Sequence, residues 1–243
     1  MLPPLSPKRR GRIAPLAALL ALIGADRTAA QTYARVESGP FIVLYSGSAQ
    51  RLANRVAVLA AQNPAMPGIP DSLWRTQPIT IVLAPSNEAF QRAAGGRVPE
   101  WGAGVTVPEQ SRIVLPAYVS VGRGGPLDYG TVLRHELAHI ALHRAVSPAP
   151  VPRWFDEGYC SWAARELDLE AAWLLRLAFV TGRAPPLDSL ELSWPTGGSR
   201  ARLAYLLSAS VMDFLVAESG TYALERLIER WRAGGNFETA LGA

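Results

Sequence analysis

His135-Glu136-Leu137-Ala138-His139 lies within a stretch, Thr131 to Arg144, whose apolar residues Val132, Leu133, Ala138, Ile140 and Ala141 suit a helix packed on one side. Residues four apart on a helix project from one face, so the two imidazoles stand together and Glu136 falls on the adjoining flank. Two neutral nitrogen donors with a carboxylate beside them suit a zinc ion that acts on water. The chain has three histidines, His135, His139 and His143, so its imidazole chemistry is confined to this one helix.

The pattern differs on the two sides of that helix. Before it, Thr32 to Tyr45 reads as a strand lead-in ending in the apolar run Phe41-Ile42-Val43-Leu44-Tyr45, and Ile79-Thr80-Ile81-Val82-Leu83 reads as a β-strand. An alanine-rich helix is expected over Ser48 to Gln62, and Ser86 is placed to cap a short helix containing Phe90. Two more short strands are expected near 104–107 and 112–115. After it, Pro148, Pro150 and Pro152 make a stiff connection. Helices then follow from about Trp154 to Leu167, Leu169 to Thr181, Arg200 to Glu218 and Tyr222 to Arg232. Pro185 to Ser199 reads as loop, and Asn236 can cap one more helix. The expected fold is α+β: a small sheet over the 131–144 helix, then a helical half. The end at Ala243 reads as a shortened carboxyl-terminal region.

Lys8, Arg9, Arg10 and Arg12 precede an apolar run from Ile13 to Ala25, and small residues follow at Thr28-Ala29-Ala30. This is the pattern of a secretory leader, residues 1–30, ahead of a domain over 31–243; an uncleaved leader would act as a membrane anchor. The leader holds five basic residues and one acidic. Of 24 basic and 20 acidic residues, 19 of each remain, so the net charge of +4 belongs to the leader and nucleic-acid binding is not expected. A lone cysteine, Cys160, excludes an internal disulfide and reads as a small buried helix residue.

A catalytic zinc needs a third protein ligand and an open position. His143 lies about 12 Å along the helix axis from His135, too far to share one ion easily, which assigns it a supporting or surface role. Glu157, in Trp154-Phe155-Asp156-Glu157-Gly158-Tyr159, can return to the histidine pair if the next helix runs antiparallel after the proline connection. Gly158 would let those two helices approach closely. The plainer alternative is that Asp156 and Glu157 form an acidic first turn favoured by the helix dipole.

At these residues the sequence resembles the gluzincin metallopeptidases, the group of thermolysin and the zinc aminopeptidases, and most closely the small secreted peptidase-MA-like domains. The resemblance runs from Ile81 to Phe90 through Trp101-Gly102-Ala103-Gly104-Val105, Ile113-Val114-Leu115, HELAH and Trp154 to Gly158, to Ala204-Tyr205-Leu206. It implies a thermolysin-like zincin domain with a small mixed sheet packed on the HExxH helix. One Zn²⁺ would be held by His135, His139 and Glu157, and Glu136 would take a proton from the attacking water. Tyr205, or Tyr159 failing it, would steady the oxyanion, and the strand around Ile113 would be the sheet edge that pairs with an extended substrate. The implied partner is a peptide or protein, cut by a secreted or periplasmic enzyme. The lack of a Gly-x-Met-Glu-Asn-type segment before residue 135 points to an endopeptidase. One position departs from the pattern: Ser161 stands where related sites place an acid that orients a histidine, leaving Asp156, Asp128 or a backbone carbonyl to do so. That departure and the short end keep open a rival reading, a catalytically silent zinc-stabilised binding domain.

Overall fold

A computed structural model of the chain describes residues 33–96, 103–118, 127–195 and 198–242; the expected leader over 1–30 and the Trp101-Gly102 pair lie outside these. The chain begins with β1 (Ala34–Ser38) and β2 (Phe41–Tyr45), α1 (Gln50–Ala61), α2 (Asp71–Trp74), β3 (Ile79–Ala84) and α3 (Asn87–Ala93). β4 (Val105–Val107) and β5 (Arg112–Pro116) follow, then α4 (Tyr129–Val146), α5 (Arg153–Ala163) and α6 (Leu169–Val180). The remaining elements are α7 (Leu187–Leu192), α8 (Gly198–Arg232) and α9 (Phe237–Leu241).

Among the described residues the strands form one mixed sheet in the order β1-β2-β3-β5-β4. β2, β3 and β5 run parallel, while β1 and β4 pair antiparallel at the two edges. The alternation of side chains along each strand divides the core. Phe41, Val43, Ile79, Ile81, Leu83, Ile113 and Leu115 face α1 and α4, while Val82, Ala84 and Val114 pack with Phe90 of α3. The sequence pattern therefore placed the strands well, with two differences. The expected strand from Thr32 is a hairpin, folded at Gly39 with φ of 57°. The strand around Ile113 is interior, paired on both sides, and the edge beside α4 is β4.

α4 starts where Asp128 accepts hydrogen bonds from the Gly130 N–H and the Thr131 hydroxyl, and it gives way to Ser147-Pro148. Two arginines tie it down. Arg134 donates to the Ala163 carbonyl at 2.7 Å and to Asn63 Oδ1 at 2.6 Å; Arg144 donates to Ser111 Oγ at 2.8 Å and to the carbonyls of Trp74, Gln77 and Pro78. Bonds from one guanidinium to several carbonyls fix the helix against α2, the end of α5 and the connecting segments beside them.

In the helical half, Trp154, Phe155, Trp231 and Phe237 form an aromatic cluster with centroid separations of 4.9 to 5.7 Å. It joins α5 to α8 and α9, and such tilted and edge-on pairs add to the area they bury. Gly220, with φ of 76°, interrupts α8 where the sequence is punctuated. Asn236 caps α9 through the Thr239 N–H at 2.7 Å, as expected. Residues 187–192, expected as loop, instead form the short helix α7, started by Pro186.

Candidate metal centre

α4 carries HELAH beside β4, and α5 crosses back beneath it. The imidazole Nε2 atoms of His135 and His139 face one oxygen of Glu157, Oε2, at 3.7 and 3.6 Å. Ligand atoms about 2.0–2.2 Å from a tetrahedral ion stand roughly 3.3 Å apart, so the two nitrogen–oxygen separations lie within a few tenths of an ångström of the required spacing, and all three atoms lie within 4.8 Å of one another. They are one of two groups among the described residues that could hold a metal ion. The second, His139, His143 and Asp156, is already joined by hydrogen bonds and shares His139 with the first.

Both imidazoles are held from behind. His139 Nδ1 lies 2.7 Å from Asp156 Oδ1, and His135 Nδ1 lies 3.2 Å from both carboxylate oxygens of Glu166. A proton on each Nδ1 leaves each Nε2 lone pair pointing at the shared point, the tautomer that a metal requires. The donor set, its spacing and its tautomers thus fit a zinc ion. Asp156 also meets His143 Nε2, at 2.9 Å through Oδ2, which gives the third histidine its supporting place.

Glu166 adds a carboxylate that the motif spacing does not point to. It does the work expected of an acid at 161, reaching His135 from the turn after α5. Arg165 there has φ of 58°, and the N–H groups of Arg165 and Glu166 return to the carbonyls of Trp162 and Ser161. This left-handed ending usually needs glycine, and an arginine gives no signal of it. Of the other acceptors considered, Asp156 serves His139, while Asp128 is occupied as the cap of α4.

Glu136 is 6 % exposed. The Thr106 hydroxyl of β4 donates to its Oε2 at 2.6 Å, and Gly104 leaves room for it: a Cβ at 104 would lie 2.8 Å from Oε1. Burial raises the Glu136 pKa; the two imidazoles and Thr106 oppose this only in part. Burial pulls the His139 pKa down, but Asp156 and Glu157 outweigh it and bring it to about 9 without a metal. His135 is likewise raised, by Glu157 and Glu166 against burial, and Asp156 is held well below the usual carboxylate range by the imidazoles it bonds.

The Tyr205 hydroxyl, on α8, donates to Glu157 Oε1 at 3.4 Å, and its ring stands edge-on to Trp194 at 5.1 Å. Burial and the Glu157 charge raise its pKa, so it keeps its proton. Tyr159 is fully buried and donates to the Pro67 carbonyl at 2.9 Å, which removes it as an oxyanion donor. Gly158 does permit a close helix approach, but with α8: a Cβ there would lie 2.6 Å from the Ser208 carbonyl oxygen. Cys160 is buried beside Asp156, and burial raises its thiol pKa well above normal, so it is no nucleophile.

His135, Glu136, His139, Asp156, Glu157 and Glu166 line a cleft of about 550 Å³, bounded by Ala103 to Thr106 on one side and by Arg153, Trp194 and Tyr205 on another. An HExxH helix beside a mixed sheet, with a carboxylate of the following helix facing both imidazoles, defines the class of HExxH metallopeptidases. The chain belongs to the peptidase MA superfamily, whose family model matches residues 72–243 and so includes α4, α5 and all the side chains of this site. No curated protein matches the sequence.

Proposed function

We propose that this protein is an exported zinc peptidase that hydrolyses peptide bonds by water attack, with His135, His139 and Glu157 as metal ligands, Glu136 as general base and Tyr205 as oxyanion donor. The observation that carries the reading is the convergence of two Nε2 atoms on one Glu157 oxygen, with both Nδ1 atoms held by carboxylates. Zinc bound there would polarise the scissile carbonyl and acidify a water.

Glu136 takes the proton of the attacking water and delivers it to the leaving amine. Its raised pKa suits both halves of that transfer, and Thr106 holds one carboxylate oxygen so that the other is left for the water. Tyr205 donates its hydroxyl to the oxygen that gains charge in the transition state. The outer edge of β4 offers backbone donors and acceptors to an extended peptide, the part first expected of the Ile113 strand. The basic, apolar and small-residue order of 1–30 supports export.

The test is zinc stoichiometry and peptide cleavage for the full chain and for Glu136→Gln. One zinc is expected in each, with cleavage at least 10²-fold lower in the variant. Zinc in both with no cleavage of a broad peptide library by wild type would leave the silent binding domain. No stoichiometric metal would remove both readings.

A further inference from the structure

We infer that Arg153 forms an anion subsite of this cleft, selecting peptides that carry a carboxylate within two residues of the bond to be cut; the inference rests on the peptidase reading above. Among the described residues lining the cleft, Arg153 is the single arginine or lysine. It opens α5, in a first turn whose dipole disfavours a cation, so the position itself gives no reason for an arginine.

Its pairing inside the chain is slight. Nε lies 4.0 Å from Glu157 Oε1, the outer limit of an ion pair, and the side chain is 55 % exposed. The guanidinium instead rests 5.0 Å over the ring of Trp194, which is 9 % exposed and stands edge-on to Tyr205. An arginine held over an indole keeps its planar fork open for two parallel bonds to a carboxylate.

Of the other carboxylates of the cleft, Glu136 has Thr106, Asp156 has His139 and His143, and Glu166 has His135, while Glu109 lies on the β4 side. Glu191, beside the cleft, accepts from the Arg153 backbone N–H at 3.1 Å. Distance sets the reach. From Arg153 Nε through Glu157 to the point where both Nε2 atoms converge is at most roughly 8 Å, with about 2 Å for the ligand bond. An extended peptide advances about 3.3–3.6 Å per residue, so the matching carboxylate sits one or two residues from the scissile carbonyl. An Asp or Glu side chain or the peptide's own terminus supplies the same chemistry.

The test measures binding to the zinc-loaded full chain carrying Glu136→Gln, which holds peptides without cutting them. The probes are amino-blocked hexapeptides that differ in Glu, Gln or Lys at each central position, each as carboxyl-terminal acid and amide. Peptides with a well-placed carboxylate should bind at least tenfold tighter, Arg153→Gln should remove the difference, and Arg153→Glu should shift the preference to Lys. A Glu-over-Gln gap that persists in the amides assigns the side-chain source; an acid-over-amide gap alone assigns the terminus. Equal affinities throughout, or a preference that survives Arg153→Gln, would overturn the subsite. Carboxylate selection without cleavage by wild type would overturn hydrolysis and leave the subsite standing.

Discussion

Glu166 reaches His135 because the chain leaves α5 through one left-handed residue, Arg165. That conformation costs a non-glycine residue about 1 kcal/mol, so Arg165→Gly should raise stability by up to that amount, read as a higher urea midpoint at unchanged m. A lower midpoint would mean that the arginine side chain contributes more than the backbone strain removes. Glu166→Ala should keep the fold but weaken zinc binding by roughly 10–100-fold in chelator competition, because His135 loses the group that orients it. The same residues mark the limit of the sequence. The two histidines and Glu136 were legible from spacing, and Glu157 from the proline return. Glu166 was not, because a helix end with arginine in the glycine position looks like any other charged surface turn. Thr106 was hidden for a different reason: a threonine on a short strand carries no sign of which face meets a carboxylate.

The helices place these groups by contact, and Gly158 is the tightest point. A methyl group there would meet the Ser208 carbonyl at 2.6 Å and its carbon at 2.9 Å, both backbone atoms of α8. Neither can yield without moving a helix, so Gly158→Ala should cost about 1–3 kcal/mol in denaturant unfolding. It should also weaken zinc binding, since α5 carries Asp156 and Glu157 beside that contact. Unchanged stability would show that α5 and α8 can separate without loss. The sequence pointed to a close approach at this glycine, but not to its partner. A small residue next to Glu157 predicts that some backbone comes near, and the neighbour proved to be α8 rather than α4. Likewise alternation located β4 and β5, while their order in the sheet depends on pairings between distant segments that no local pattern encodes. The helix α7 carries little signal in the sequence, because prolines and a tryptophan surround a stretch of only six residues.

At the scale of the whole molecule, the charges gathered at the site tie stability to pH and to metal. Without metal, His139 titrates near 9 rather than 6.5, so its protonated form stabilises the fold fully below about pH 6.5. That contribution fades as pH rises through 9. Asp156 and Glu166 have lowered pKa values, so theirs is present above the ordinary carboxylate range and is lost as pH falls below it. The metal-free chain should therefore be most stable from about pH 5 to 6.5 and less stable at pH 9, by a few kcal/mol at most. Zinc bound as proposed would reverse the upper limb. It would take neutral imidazoles, so the protons that stabilise the metal-free site are the ones it would have to displace, and its apparent affinity would rise over the same window. Thermal unfolding with chelator and with excess zinc should then show Tm curves that lie close together near pH 6 and separate steadily toward pH 9. A gap that stays constant across this range would mean that zinc binding displaces no protons there, and that His135 and His139 are not the groups that hold it.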